Sequence, residues 1–328
     1  MAQPPTPARH RHPVPALLDS LNLLTSFGRS LARVIGAAPL SRPEDPELAA
    51  LVRRADEAMR TGRKDEARRL YREALERRKT DLSALRGLRG IAADAGAWHE
   101  ALGLQERITA QAPSDDRAGE NEWLAGIHYE LGRTDLTRGR AAAAVVHFKS
   151  ALRADRAFVP AALALGDAWE ASGDRREAVR AWERAVEQQP ALPLLMRLER
   201  AYREEGRPSR MIALYREAVS RAPDDLAIAV ALGRVYFELE MLDEAADQFE
   251  RIEVRAPDLP AVHAFLGAVF ERRGETREAF EEYRRALRLS RAFDWPQRCS
   301  ACGATAPDWR ERCAQCGRWN TLRPLSGR

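Results

Sequence analysis

At 328 residues and 36.8 kDa, with 45% apolar and 31% charged residues, the chain reads as a folded globular protein with room for about two ordinary domains. Aromatics supply only 7%, and 4 cysteines are too few for a secreted disulfide scaffold, so aliphatic packing among helices and a cytoplasmic location are expected. The pI is near 9.0, but the formal charge is only +4 and sits at the ends: five arginines against one aspartate in 1–43, six against three acids in 294–328, and a slightly acidic body between. That body excludes an extended phosphate-binding surface, which needs clustered cations, and no nucleic acid partner is expected.

Residues 1–13 read as a disordered basic tail, and 14–43 as an amphipathic helix and linker. Val14, Leu17, Leu18, Leu21, Leu24, Phe27, Leu31, Val34 and Ile35 keep helical spacing. Asp19, Asn22, Arg29 and Arg33 make the span too polar for the ~20 apolar residues of a bilayer crossing. Such a helix suits either a cap on the apolar end of the following module or peripheral contact of 14–35 with an anionic membrane surface.

Residues 44–293 repeat themselves. A small residue, an aromatic four positions on and a small residue three further recur at Ala67/Tyr71/Ala74, Ala144/Phe148/Ala151, Ala178/Trp182/Ala185 and Ala279/Tyr283/Ala286, with Ala245/Phe249 and Met211/Tyr215/Ala218 close variants. The first members stand about 34 residues apart. Leu165-Gly166, Leu232-Gly233 and Leu266-Gly267 form a second block upstream, and Pro113, Pro190, Pro223 and Pro257 close several units. These offsets resemble the tetratricopeptide repeat, a pair of antiparallel helices in which a small residue lets the backbones approach, an aromatic fills the gap and proline stops the second helix. About seven units follow, over 48–81, 82–115, 125–158, 159–192, 193–225, 226–259 and 260–293; the second has Gln105 at the aromatic position, and 116–124 are extra and expected to lengthen a helix or form a bulge. The expected fold is all-α, a right-handed superhelical solenoid whose first helices line a concave, protein-binding face. Candidate groove residues are Tyr129, Arg133, Asp167, Glu170, Met196, Arg200, Arg203, Arg234 and Phe237.

All cysteines fall in 294–328, as Cys299-Ser-Ala-Cys302 and Cys313-Ala-Gln-Cys316 with ten residues between the pairs. Two residues between thiolates let both sulfurs of a tight turn face one ion, and two such turns complete an S4 shell. Gly303 and Gly317 follow the second cysteine of each pair, where the turn takes positive φ. A small zinc-ribbon or rubredoxin-like module with one structural metal is expected, zinc by default, with iron also compatible with sulfur ligands. Trp295, Trp309 and Trp319 flank the knuckles and are expected either to cover the metal or to seat the module on the last repeat.

A tetratricopeptide array ending in paired knuckles, with Trp309 and Trp319-Asn320-Thr321 around the second, resembles the LapB (YciM) family, lipopolysaccharide assembly protein B, over roughly 48–321. The resemblance implies a non-enzymatic adaptor at the cytoplasmic face of the inner membrane. With the FtsH protease, it would regulate turnover of the lipid A pathway deacetylase. Members of that family carry a transmembrane anchor at their start, where this chain has only the amphipathic segment. No HExxH, P-loop or dinucleotide motif occurs; His128 and His147 are placed to meet across the third unit as a packed or solvated pair. The rival readings are a general tetratricopeptide scaffold or co-chaperone and a nucleic-acid-binding zinc ribbon. The second is disfavoured because four thiolates and one zinc ion offset most of the tail's positive charge.

Overall fold

A computed structural model describes residues 45–289 and 296–325. The segments 1–13 and 14–43, and with them the expected amphipathic helix, lie outside the described residues, as does Trp295.

Within 45–289 the chain is a succession of helical hairpins. They are α1 (Pro46–Arg60) with α2 (Lys64–Arg77), α3 (Leu82–Asp94) with α4 (Trp98–Thr109), α5 (Arg117–Thr137) with α6 (Ala141–Ala154), α7 (Val159–Ala171) with α8 (Arg175–Gln188), α9 (Leu192–Glu204) with α10 (Pro208–Arg221), α11 (Leu226–Glu238) with α12 (Leu242–Arg255), and α13 (Pro260–Arg273) with α14 (Thr276–Arg288). Capping starts several of them: Asp45 accepts from the Glu47 and Leu48 amides, Asp81 from Ala84, and Asp225 from Ala227 and Ile228. Glycine takes positive φ at the turn inside most hairpins, as at Gly173 (φ 81°), while the sixth puts Glu240 there at φ 57°.

The small-plus-aromatic register sets the packing. A Cβ on Gly166 would stand 2.0 Å from the Trp182 indole, and one on Gly132, Gly233 or Gly267 would stand 2.5, 2.6 or 2.7 Å from the aromatic of its own hairpin. The aromatics Phe148, Trp182, Tyr215 and Phe249 are fully enclosed. Two hairpins break the register and bury charge instead. The second pairs Arg89 with Gln105, and the fifth pairs Glu199 with Tyr215, whose hydroxyl donates to the carboxylate at 2.6 Å. First helices of successive hairpins touch one another, α5 with α7, α7 with α9 and α11 with α13, and form the inner wall of a tetratricopeptide solenoid. Residues 116–124 lengthen a helix: after a short 3-10 turn at Ser114–Asp116, α5 runs for 21 residues.

The C-terminal module has a three-stranded antiparallel sheet, ordered β2 (Thr305–Ala306), β1 (Gln297–Cys299), β3 (Leu322–Pro324), with Gln297 opposite Ala306 and Cys299 opposite Leu322. A module this small has almost no apolar core, only Cys299, Cys313 and Leu322 fully buried among its own packed groups, so a metal must supply much of its cohesion.

Candidate metal centre and inner wall

The four cysteines converge. Their sulfurs all lie within 4.8 Å of one another, with Cys299 and Cys316 3.7 Å apart and Cys302 and Cys313 3.8 Å apart. A tetrahedral ion with bonds of about 2.3 Å to sulfur requires sulfur–sulfur separations of about 3.8 Å, so the donor set fits one thiolate-bound metal. The knuckle backbones are alike: the Gly303 amide donates to the Cys299 carbonyl and the Gly317 amide to the Cys313 carbonyl, each at 2.9 Å, with φ of 76° and 70° at the glycines.

The same turns prepare thiolates. Burial raises the Cys299 thiol, but the Thr321 hydroxyl 3.2 Å from its sulfur and the Cys302 and Ala301 amides outweigh that effect and bring it to about 6. The amides of Cys316 and Gln315 hold Cys313 low as well. Cys316 has the Arg318 amide in its favour, yet burial and the three neighbouring sulfurs push it up to about 12. Sulfurs so close resist sharing several negative charges unless a cation joins them.

A second gathering of ligand-type groups, Glu253, His263 and Glu282, lies in the last two hairpins. Arg285 already pairs with both carboxylates, and His263 is buried with its ring nitrogens 2.6 Å from Glu282 Oε2 and from the Pro257 carbonyl. This is an internal ion network. His128 and His147 do meet, Nδ1 to Nδ1 at 3.2 Å, and burial together with the neighbouring ring lowers His128 to about 4, which keeps it neutral.

The expectation that the module sits on the last repeat is overturned. It folds back onto the inner wall at the middle of the array. Trp319, 1% exposed, lies on α5, where a Cβ on Gly126 would stand 2.6 Å from its ring. Trp123 and Trp98 flank it edge-on with centroids at 5.1 and 6.3 Å, and Arg312 covers it at 4.6 Å. The stack continues through Trp123 to Arg89 at 4.0 Å, and Arg89 in turn pairs with Glu120 at 2.6 Å. Arg318 pairs with Glu122, the Trp319 indole points at Glu130 (3.4 Å), and the Asn320 amide donates to the Ala157 carbonyl at 3.2 Å. Glu120, Glu122 and Trp123 all belong to the extra segment 116–124. The insertion between the second and third units is therefore the platform on which the module sits.

This geometry changes the surroundings of the groove candidates. Tyr129 is buried between Phe148 and Phe158 beneath the module, with Arg133 over its ring at 5.8 Å. Asp167 and Met196 line a cavity against the module; Met196, Arg200, Arg203 and Arg234 line an open trough farther along. Phe237 is packed by Phe265 and Arg272. The arginines are engaged along the wall: Arg200 with Glu170, Arg203 with Glu199 and Glu238, and Arg234 with the same two carboxylates. The Arg234, Tyr215 and Arg203 donors overcome the burial of Glu199 and hold its carboxyl below the usual range. Arg197, which pairs with Asp167 through two hydrogen bonds, is a wall residue that sequence reasoning missed; its position thirty residues beyond an acidic group is the signal for a bridge between successive units.

The arrangement defines a class: tetratricopeptide-repeat proteins whose inner wall carries a docked, rubredoxin-type metal-binding module. Tetratricopeptide repeat models match residues 52–116, 163–225 and 202–269, more than half of the chain, and the model described as a rubredoxin metal binding domain, from the LapB zinc ribbon, matches 298–324. The joint pattern, tetratricopeptide repeats followed by that module, fits the LapB (YciM) family. Among solved structures it is similar to YrrB, a tetratricopeptide protein with an unusual peptide-binding site, at 18% identity over 52% of this chain and 88% of that one, TM-score 0.37. It is also similar to MamA at 22% identity (52% and 92% covered, TM-score 0.38), and to MamA from Desulfovibrio magneticus RS-1 at 20% (52% and 97%, TM-score 0.38).

Proposed function

We propose that this protein is a non-enzymatic adaptor that holds protein clients on the inner wall of its repeats, with Cys299, Cys302, Cys313 and Cys316 binding one structural zinc ion. The observation that carries the reading is the docking of the module through Trp319 onto Gly126 of α5, which makes the metal-bound knuckles part of the client-facing wall. Zinc supplies cohesion to the knuckles. The protein's own residues do the rest: Trp319 and Arg318 anchor the module, and the inner wall along the Glu170–Arg200 and Arg203–Glu238 pairs, with Arg133, Met196, Arg234 and Phe237, meets the client. Within the LapB family the reading extends to regulation of lipopolysaccharide synthesis through FtsH-dependent turnover of the lipid A deacetylase, at the cytoplasmic face of the inner membrane. Among the described residues no helix is long and apolar enough to cross a membrane; the amphipathic pattern of residues 14–35 supports either peripheral contact with lipid or a cap on the first hairpin.

Two experiments test this. Deletion of the gene is expected to raise deacetylase abundance and lipopolysaccharide output, and unchanged levels of both refute the lipid A assignment. Affinity capture of the zinc-loaded protein is expected to retain FtsH or the deacetylase. Retention of unrelated folded clients instead favours a general tetratricopeptide scaffold or co-chaperone.

A further inference from the structure

We propose that the seam between the metal module and the inner wall is a specificity pocket for one bulky apolar side chain of an extended peptide, whose main-chain carbonyl accepts a hydrogen bond from the Tyr129 hydroxyl. The inference rests on the protein-binding reading above; it adds which part of a client is recognised and makes the metal module one wall of the recognition site.

The seam encloses about 460 Å³, within the ~300–1,000 Å³ range of ligand pockets. Val159, Leu163, Leu192 and Met196 form its repeat side, and Trp309 and Leu322 its module side. Tyr129 lines it while only 4% exposed, and its hydroxyl has no hydrogen-bond partner among the described residues. Its oxygen opens onto the cavity, so an acceptor that enters there can take a hydrogen bond from it. The lining charges exclude an ionic occupant. Asp167, Asp225 and Glu311 against Arg197 and Arg323 repel an anion. Two of the three carboxylates are committed, Asp167 to Arg197 and Asp225 to the Ala227 and Ile228 amides, which leaves little to hold a cation. The occupant is therefore uncharged.

Its shape follows from continuity. Leu192, Met196 and Ala227 line both this cavity and the trough of about 530 Å³ along hairpins five to seven, and Met196 stands 55% exposed at their junction. Two adjoining, mostly apolar hollows of this kind match an extended chain with an anchoring side chain, and a peptide carbonyl supplies an acceptor for the Tyr129 hydroxyl.

The test selects binders from a random-peptide display library on the full-length, zinc-loaded protein and measures their affinities by fluorescence anisotropy. The selected peptides are expected to share one apolar residue whose change to alanine weakens binding about tenfold or more. Leu163→Trp, which fills the seam, is expected to do the same, and Tyr129→Phe to cost about three- to tenfold, both with zinc content retained. Should Leu163→Trp fold poorly, Tyr129→Phe removes only the hydroxyl and decides the matter. Peptides that bind both variants as well as the natural protein overturn the pocket while leaving the inner wall as a client surface. Failure to select any peptide also overturns it, and the protein-binding reading is then judged by its own capture experiment on folded partners.

Discussion

Replacing Trp319 by alanine tests the docking of the module directly. The side chain is 1% exposed and touches Gly126, Trp123, Trp98 and Arg312, so its removal leaves a large cavity on α5. Losses for buried tryptophan run to about 3–5 kcal/mol, whereas the exposed Arg318–Glu122 pair beside it is worth about 1 kcal/mol or less. The ring, then, dominates the joint. Hydrogen exchange on the zinc-loaded protein should show α5 amides losing protection by roughly that amount, with metal content unchanged because the cysteines keep their knuckles. A thermodynamic cycle with Gly126 sharpens the result. Alone, Gly126→Ala should destabilise by about 1–3 kcal/mol because its Cβ strikes the indole. In the Trp319→Ala background the clash is gone, and the same change should be neutral or stabilise by about 0.5–1 kcal/mol, the ordinary advantage of alanine inside a helix. Protection of α5 that survives Trp319→Ala to within about 1 kcal/mol, or additive effects of the two changes, refutes the docking argument.

Other expectations follow from the same contacts. Cys302→Ser or a strong chelator should unfold the module and loosen α5 of the third hairpin, leaving α14 protected, as read by exchange and elemental analysis; equal loss at both ends of the array would contradict it. Because Cys299 and Cys313 ionise below the usual thiol range, their thiolates persist through and below that range, and metal uptake should fade as pH falls through about 6, seen by zinc release to a chromophoric chelator. Burial raises the Glu120 carboxyl, but donors on Gln105, Arg89 and Arg86 more than offset this and hold it low, so its stabilising effect is full above the unfolded carboxylate range and is lost as pH drops below it. Glu120→Gln should cost about 3–5 kcal/mol at neutral pH by leaving Arg89 buried and uncompensated, and should flatten the acid limb of a urea-denaturation series. Gly166→Ala, which drives a Cβ into Trp182, should lower stability by about 1–3 kcal/mol despite better helix propensity; an unchanged denaturation midpoint would show that the hairpin gives way there.

Much of the array was legible because its signals are local and periodic. Gly166 with Trp182, or Gly233 with Phe249, lie in one hairpin at a fixed offset, and the cysteine knuckles sit within a few residues of each other. The docking was not legible, since Arg318 and Glu122 are 196 positions apart and no periodic pattern joins them. Hints existed nonetheless. Gly126 interrupts a long helix without an aromatic of its own hairpin to accommodate, and Trp98, Trp123 and Trp319 are three of only 7 tryptophans in the chain. The break in register at Arg89 and Gln105 read as a weak repeat, whereas its physical cause is the ion pair with Glu120, which only the inserted segment supplies. Tyr129 and the wall arginines were placed on first helices by spacing, but their burial and pairing depend on neighbours from other units.

The return of residues 296–325 to the middle of the array has a consequence for synthesis. Hairpins emerge from the ribosome in order and can stack as they appear, but the face over α5 and α7 stays bare until the knuckles, made about 140 residues after α7 begins, have emerged and folded back. A chain cut short before them, or made in metal-starved cells, would present the ladder of helices with Trp98 and Trp123 uncovered, so the middle of the array is the last part of 45–325 to be completed.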